Sequence, residues 1–355
     1  MKKDGVKKGL KLIGLLYLFV FSIELIKRSS LALAPDIQSF LSQGLAPIKA
    51  ICVGWFTTSI VQSSGAVVSI TSAFTGNNLI TLPTAVYIIA GASLGTTITA
   101  LIISIITTTK RRRDFRHGFE IGLSYAIYSA ILVVLAFILE YYFKAFSRIS
   151  LFISNSVGDK ISLLKIPNFI ETITYPIISL LKINNFLTLI LAFAILILTL
   201  RYLGKVIIAV LGGEQKARKF INKYFNSKYK AYLIGAVLTG IVFSSSITIG
   251  LLVPLAIARL INLKKAIPFI LGADLGTFTD VFLASVIIDK SLALATAIAY
   301  AMFAVLGAII FLPNTNILFK ITKHTSKRLI HISRKKALYF LIAFILIPLA
   351  IILIF

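Results

Sequence analysis

Thr58-Ser-Ile-Val-Gln62-Ser63-Ser64-Gly65 is a polar knot inside otherwise apolar sequence, and its recurrence decides the fold. The segment Gly91-Ala-Ser-Leu-Gly-Thr-Thr97 begins 27 residues after Ser64. Thr239-Gly-Ile-Val-Phe243-Ser244-Ser245-Ser246 repeats the knot, and Gly272-Ala-Asp-Leu-Gly-Thr-Phe278 begins 27 residues after Ser245. One offset of 181 residues aligns the copies without a gap, from Gly54 with Gly235, through Ser64 with Ser245, to Thr96 with Thr277. A lone Gln-Ser-Ser carries no information. Two copies in register, each tied to its own Gly-Ala-x-Leu-Gly-Thr, mark an internal repeat.

The chain is 58% hydrophobic and 14% charged, with mean hydropathy +0.96. Apolar runs of about 20 residues, the length that crosses a hydrocarbon core of roughly 30 Å, recur from end to end. They predict an all-α polytopic membrane protein with spans at 10–27, 83–107, 119–143, 185–208, 266–288, 291–312 and 337–355. The formal charge of +25 sits mostly in connectors between these runs. Topology and anionic headgroups account for it there, so no nucleic acid partner is expected. Cys52 is the only cysteine, and His117, His324 and His331 lie in basic connectors. Neither an internal disulfide, a transition-metal site nor a histidine relay within the membrane is expected. Met1–Ser30 imitates a signal peptide. Glu24, Lys27 and Arg28 separate its apolar run from Ala32-Leu-Ala34, however, and the offset pairs Leu10–Lys27 with Leu191–Ile208, so a retained first span is expected. No soluble domain is expected after the terminal span 337–355.

Charge sets the orientation. Basic clusters at Lys2–Lys11, Lys110–Arg116, Arg201–Lys230, Arg259–Lys265 and Lys320–Lys336 should all face the cytoplasm. A full crossing by 48–75 would strand Lys110–Arg113 outside. If 48–75 enters and leaves on the outer side, and 231–256 on the inner side, every cluster becomes cytoplasmic. The expectation is therefore two inverted repeats, each with a re-entrant helical hairpin plus spanning helices. Repeat one is 1–143, with its hairpin at 48–75 and its Gly-Thr segment at 91–99. Repeat two is 185–336, with its hairpin at 231–256 and its Gly-Thr segment at 272–280. An outer connector, 144–184, joins them, and its apolar pieces such as Ile177–Leu181 read as interfacial. The protein belongs in the cell (inner) membrane with its N-terminus cytoplasmic. Glu24, Glu120 and Glu140 fall near span ends and read as interfacial, while Trp55 and Tyr141-Tyr142 read as packing or belt aromatics.

Irregular backbone at membrane depth is tolerated only where it is buried in protein or lines a wet cavity. The Ser-rich turns, flanked by Gly65, Gly91, Gly95, Gly272 and Gly276, mark where it would sit. A hairpin tip exposes the N-terminus of its second helix, whose free N–H groups attract anions. Thr58, Ser63 and Ser64 add hydroxyls at one tip, and Thr239, Ser244, Ser245 and Ser246 at the other. No Lys or Arg lies between Ala50 and Ile106 or from Ala266 to Ile288. A desolvated anion then needs another counter-charge, and cotransported cations supply it. Asp274 and Asp280, with Thr277 and Thr279, offer oxygens of the kind a hard cation prefers. The aligned positions in repeat one are Ser93 and Thr99, with Thr96 and Thr97 nearby. Packing is the competing reading for any single Ser, Thr or Gly of a membrane helix, and partnership with each other or with backbone is the competing reading for the two aspartates. An intramembrane serine hydrolase needs a base beside its nucleophile, and no His or Lys is placed there.

Gln62-Ser63-Ser64-Gly65 with Gly91-Ala-Ser-Leu-Gly-Thr-Thr-Ile-Thr99, and Ser244-Ser245-Ser246 with Gly272-Ala-Asp-Leu-Gly-Thr277, resemble the type II sodium–phosphate cotransporter family. Its inverted repeats each carry a Gln-Ser-Ser-Ser hairpin and a downstream Gly-x-Asn-Ile-Gly-Thr-Thr. The similarity covers about residues 10–312. It implies sodium-coupled secondary transport of inorganic phosphate rather than catalysis, with Na+ as coupling ion and no other cofactor. By the same resemblance Gln62, Ser63, Ser64, Ser244, Ser245 and Ser246 contact phosphate, with Gly65 at the third serine position of the first knot. The Gly-Thr segments help to bind Na+, which extends the cation set to Ser93, Thr96, Thr97, Asp274, Thr277, Thr279 and Asp280. Four departures stand out. Gly65 replaces a Ser, Phe243 replaces the second Gln, and Ser93 and Asp274 stand where the family usually has Asn. A carrier for another anion, a proton-coupled carrier and a non-transporting membrane scaffold remain as alternatives, and a homodimer is compatible with each.

Overall fold

The computed structural model describes residues 2–33, 45–106, 112–162, 174–176, 178, 184–210, 225, 227–257, 259, 261–330 and 334–354. Most of the connector at 163–183, parts of two basic clusters (107–111 and 211–224) and His331 lie outside the described residues.

The first half comprises α1 (Lys2–Ala32), α2 (Pro47–Val61), α3 (Ser64–Gly76), α4 (Leu82–Gly95), α5 (Ile98–Ile106), α6 (Arg112–Phe143) and α7 (Ala145–Ser162). The second comprises α8 (Asn185–Val210), α9 (Lys228–Val242), α10 (Ser245–Ile257), α11 (Leu263–Gly276), α12 (Phe278–Ile288), α13 (Ser291–Phe311) and α14 (Thr315–Ile330), and α15 (Arg334–Ile354) follows. No strand occurs among the described residues. Among the described residues five apolar stretches are long enough to cross a membrane: Gly9–Ile26, Leu82–Ile105, Phe115–Phe143, Leu263–Ile288 and Ser291–Phe311. Large apolar side chains such as Leu10, Ile13, Val134 and Ile309 are exposed along these helices, a surface that only lipid solvates well. The chain is an all-α polytopic membrane protein.

Both halves use one local grammar. α2, α3 and α4 recur as α9, α10 and α11 with each end displaced by 181 residues. Pro47 opens α2, where a missing N–H costs nothing. α2 ends at Gln62, which takes left-handed backbone (φ 59°) and donates its N–H to Thr58 O. Ser63 is extended, and its Oγ accepts the N–H of Ala66 at 3.2 Å to start α3. The second knot does the same with Phe243 (φ 55°) and Ser244, whose Oγ accepts the N–H of Ile247 at 3.3 Å. α4 and α11 are capped at equivalent positions by Thr81 and Asn262. Two spans that read as continuous, 83–107 and 266–288, are each interrupted, at Thr96-Thr97 and at Thr277. At the first break the Thr97 hydroxyl donates to Leu94 O at 2.7 Å and the Thr99 N–H to Thr96 O at 3.3 Å. Local hydroxyl and short-range bonds thus replace the regular ladder.

The motif glycines of α4 and α11 are packing residues inside helices. A Cβ on Gly91 would overlap Ile51 O, and one on Gly95 would overlap Trp55 O. The equivalent atoms at Gly272 and Gly276 would overlap Tyr232 O and Ala236 O. Gly-x-x-x-Gly therefore seats α4 backbone-to-backbone on α2, and α11 on α9.

The halves are locked by exchange. α3 packs on α12 and α13 of the other half, and α10 packs reciprocally on α5 and α6. α7 lies along α13 while α14 lies along α6, and α1 pairs with α8. Neither α7 nor α14 is legible as a hydropathy peak. The three glutamates read as interfacial are buried. Glu120 accepts from Lys323 Nζ (2.6 Å), Arg116 Nε (3.0 Å) and Ser326 Oγ (3.1 Å), tying α14 to α6. Glu140 accepts the N–H groups of Phe146 and Ser147 at the start of α7 and the Ser147 hydroxyl. Glu24 pairs with Arg28 at 2.9 Å within α1. Trp55 packs edge-on against Phe344, with ring centroids 5.0 Å apart, whereas Tyr141 and Tyr142 are exposed.

Candidate functional site

The two knots meet. Ser246 Oγ, in the first turn of α10, donates to the carbonyl of Gln62 at 3.1 Å. It also lies 3.3 Å from Thr96 Oγ1, at the break between α4 and α5. Hairpin tip two thus touches both tip one and the Gly-Thr segment of the other half. Ser63 and Ser244 serve as caps, and an accepted cap bond leaves each hydroxyl proton free to donate. Ser64 and Ser245 are buried. The Tyr300 hydroxyl of α13 donates to Ser64 Oγ at 3.0 Å.

The two aspartates do not pair with each other. Asp274, on α11, accepts from Tyr125 at 3.1 Å on one oxygen and from Tyr128 at 3.0 Å on the other, both from α6. Asp280, on α12, accepts the N–H of Val281 through Oδ1, and its buried Oδ2 has no partner among the described residues. Ser93, which aligns with Asp274, is fully buried with a hydroxyl unpartnered among the described residues, as is Thr58, and the buried hydroxyl of half-buried Thr99 is likewise unpartnered there. Thr97 and Thr277 donate their hydroxyls to carbonyls in the last turn of the preceding helix, Leu94 O and Ala273 O. Thr279 faces Gly240 of α9, where an added Cβ would come within 2.9 Å of its Oγ1. Among the described residues no three His, Cys, Asp or Glu side chains converge.

Tyr125, Tyr128 and Tyr300 are the functional candidates that sequence reasoning missed. They are fully buried phenols supplied by α6 and α13 to the opposite half. Their only sequence signal is a hydroxyl-bearing ring inside an apolar run, with Tyr125 and Tyr128 three residues apart on one helical face.

Among the described residues, interrupted helices of a polytopic membrane protein meet at a polar centre, an arrangement that recurs in membrane carriers. The model of the Na+/Pi-cotransporter family matches residues 18–156 and 195–333, one stretch in each half, and the chain belongs to that family. Sodium-dependent phosphate transport protein 2A of Rattus norvegicus is 26% identical over 95% of this chain and 66% of its own length. Sodium-dependent phosphate transport protein 2B of Homo sapiens is 24% identical over 98% of this chain and 65% of its own. The chain thus spans just under two thirds of the length of the curated relatives it matches. An uncharacterized protein of Bacillus subtilis, YqeW, is 39% identical over 88 residues, 25% of this chain and 28% of its own. No solved structure matches.

Proposed function

We propose that this chain is a sodium-coupled secondary transporter of inorganic phosphate, not an enzyme, resident in the cell membrane with its N-terminus cytoplasmic. The reading rests first on the 3.1 Å contact between Ser246 of one knot and the Gln62 carbonyl of the other. It brings two hydroxyl-rich helix starts together where neither Lys nor Arg is present in the flanking sequence. The anion is held by Gln62, Ser63 and Ser64 at one tip and by Ser244, Ser245 and Ser246 at the other, beside the amides that open α3 and α10. Na+ ions supply the positive charge at the Gly-Thr segments, drawing on Ser93, Thr96 and Thr97 in one half and Asp274, Thr277 and Thr279 in the other.

Helix lengths favour re-entrant hairpins: α2 and α3 are about 20 Å long each at 1.5 Å per residue, short of a core of roughly 30 Å. With charge placement, this supports two halves of opposite orientation. Binding of anion and cation would break the Ser246–Gln62 contact and free one bundle to rock against the other. The test is uptake of phosphate by the purified chain in liposomes under an inward sodium gradient. Uptake is expected with sodium and not without it, and Ser64→Ala or Ser245→Ala should abolish it. Wild-type uptake in both variants would remove the assignment.

A further inference from the structure

α14 has two unlike faces. Leu318, Thr322 and Ser326 are buried on the side that packs on α6 and α11. The other side carries Lys320, His324, Lys327 and Arg328, all exposed. Ile317 and Ile321 lie among them, 52% and 38% exposed. Spacings of three and four residues put these six side chains on one helical face. The helix follows closely on the span Ser291–Phe311, and Lys323 and Ser326 tie it to Glu120, near the start of the span Phe115–Phe143. It therefore lies at the level of a membrane surface. Isoleucines interleaved with long cations suit the border between acyl chains and headgroups, where each part finds its own solvent.

The exposed charges have no counter-charge nearby in the chain. No Asp or Glu follows Asp289 in the sequence. Glu120, the carboxylate beneath α14, is buried and already accepts from Lys323, Arg116 and Ser326. Among the described residues Lys320, Lys327 and Arg328 form no ion pair. We propose that this face of α14 binds an anionic phospholipid, with the phosphate among Lys320, Lys327 and Arg328 and the acyl chains against Ile317 and Ile321. The bound lipid has a purchase on the interior. α14 rests on α6, which supplies Tyr125 and Tyr128, and on α11, which carries the Asp274 they hold, so the lipid braces the two helices that meet there. The inference stands whether or not the knots hold an anion.

The test follows the thermal midpoint of the full chain, purified in detergent, during titration with phosphatidylglycerol, since a ligand of the folded form raises it. The midpoint should rise with phosphatidylglycerol, stay put with phosphatidylcholine, and respond less as salt is added. In Lys320→Gln/Lys327→Gln/Arg328→Gln the concentration giving half the rise should increase about a hundredfold, at roughly fivefold for each cation removed. Lys144→Gln/Arg148→Gln/Lys290→Gln removes the same charge from exposed positions beside the opposite ends of α6 and α13 and should respond as the parent does. The α14 positions are exposed, so the midpoint of that variant without lipid should stay close to the parent's. Should it fall, Ile317→Asn/Ile321→Asn, which keeps every charge, decides the matter by its own weakened response. Glycerol 3-phosphate, which lacks acyl chains, should give no rise that depends on α14. Equal responses from the parent and the α14 variants, equal losses in both charge variants, or a full α14-dependent rise from glycerol 3-phosphate would overturn the proposal.

Discussion

Asp274 and Asp280 lie six residues apart and carry the same group, yet their surroundings differ. Asp274 has a phenol on each oxygen, so its acceptor capacity is shared between fixed donors and any cation. Replacing both donors, in Tyr125→Phe/Tyr128→Phe, removes bonds to a charged group worth about 1.5–3 kcal/mol each. The half-saturating sodium concentration for uptake should rise severalfold as the carboxylate loses its orientation; an unchanged value would separate Asp274 from cation binding. Gly91 and Gly272 make a prediction about stability instead. Gly91→Ala or Gly272→Ala forces a methyl into a facing carbonyl and should cost about 1–3 kcal/mol by overpacking, read as a lower thermal midpoint in detergent. The serines and aspartates were legible in the sequence because polar residues stand out in apolar runs. The tyrosines were not, because a buried phenol looks like any other ring until its partner, 149 residues from Tyr125 and 146 from Tyr128, is known. The burial of Glu120 was hidden for the opposite reason, since it stands near a span end and the lysine it receives comes from a helix 203 residues further on.

At the scale of elements, repetition made most helices readable. Caps, starts and stops recur at equivalent positions, so α2 to α4 and α9 to α11 follow from one another. The breaks at Thr96-Thr97 and Thr277 did not, because hydropathy sees an unbroken apolar run where hydroxyls interrupt the ladder. α7 and α14 were also hidden: both are amphipathic, and their apolar faces have meaning only against α13 and α6. For α14 the anchor is the Lys323–Glu120 pair, with the glutamate buried and the lysine about a third exposed. Lys323→Met should cost about 1.5–3 kcal/mol, the range for hydrogen bonds to charged groups. Arg116 stays on Glu120, so the loss should appear as a lower thermal midpoint rather than as failure to fold.

At the scale of the whole molecule, the repeat was visible in sequence but the exchange of partners was not, since an offset between residues says nothing about which surfaces meet. The inverted arrangement proposed above has a direct check. Cys52 is the only cysteine and is buried, so Cys52→Ala gives a thiol-free background. Asn78 and Arg259 are exposed and equivalent by the 181-residue offset. Asn78→Cys should react with a membrane-impermeant thiol reagent from outside and Arg259→Cys from the cytoplasmic side; labelling of both from one side would rule out opposed halves. The seating of α3 on α12 and α13, and of α10 on α5 and α6, carries a last consequence. A gene encoding just one half would yield a limb with no bed to lie in, unless a twin copy supplied one. Each half is thus the scaffold on which the other half's limb is laid, and neither is complete by itself.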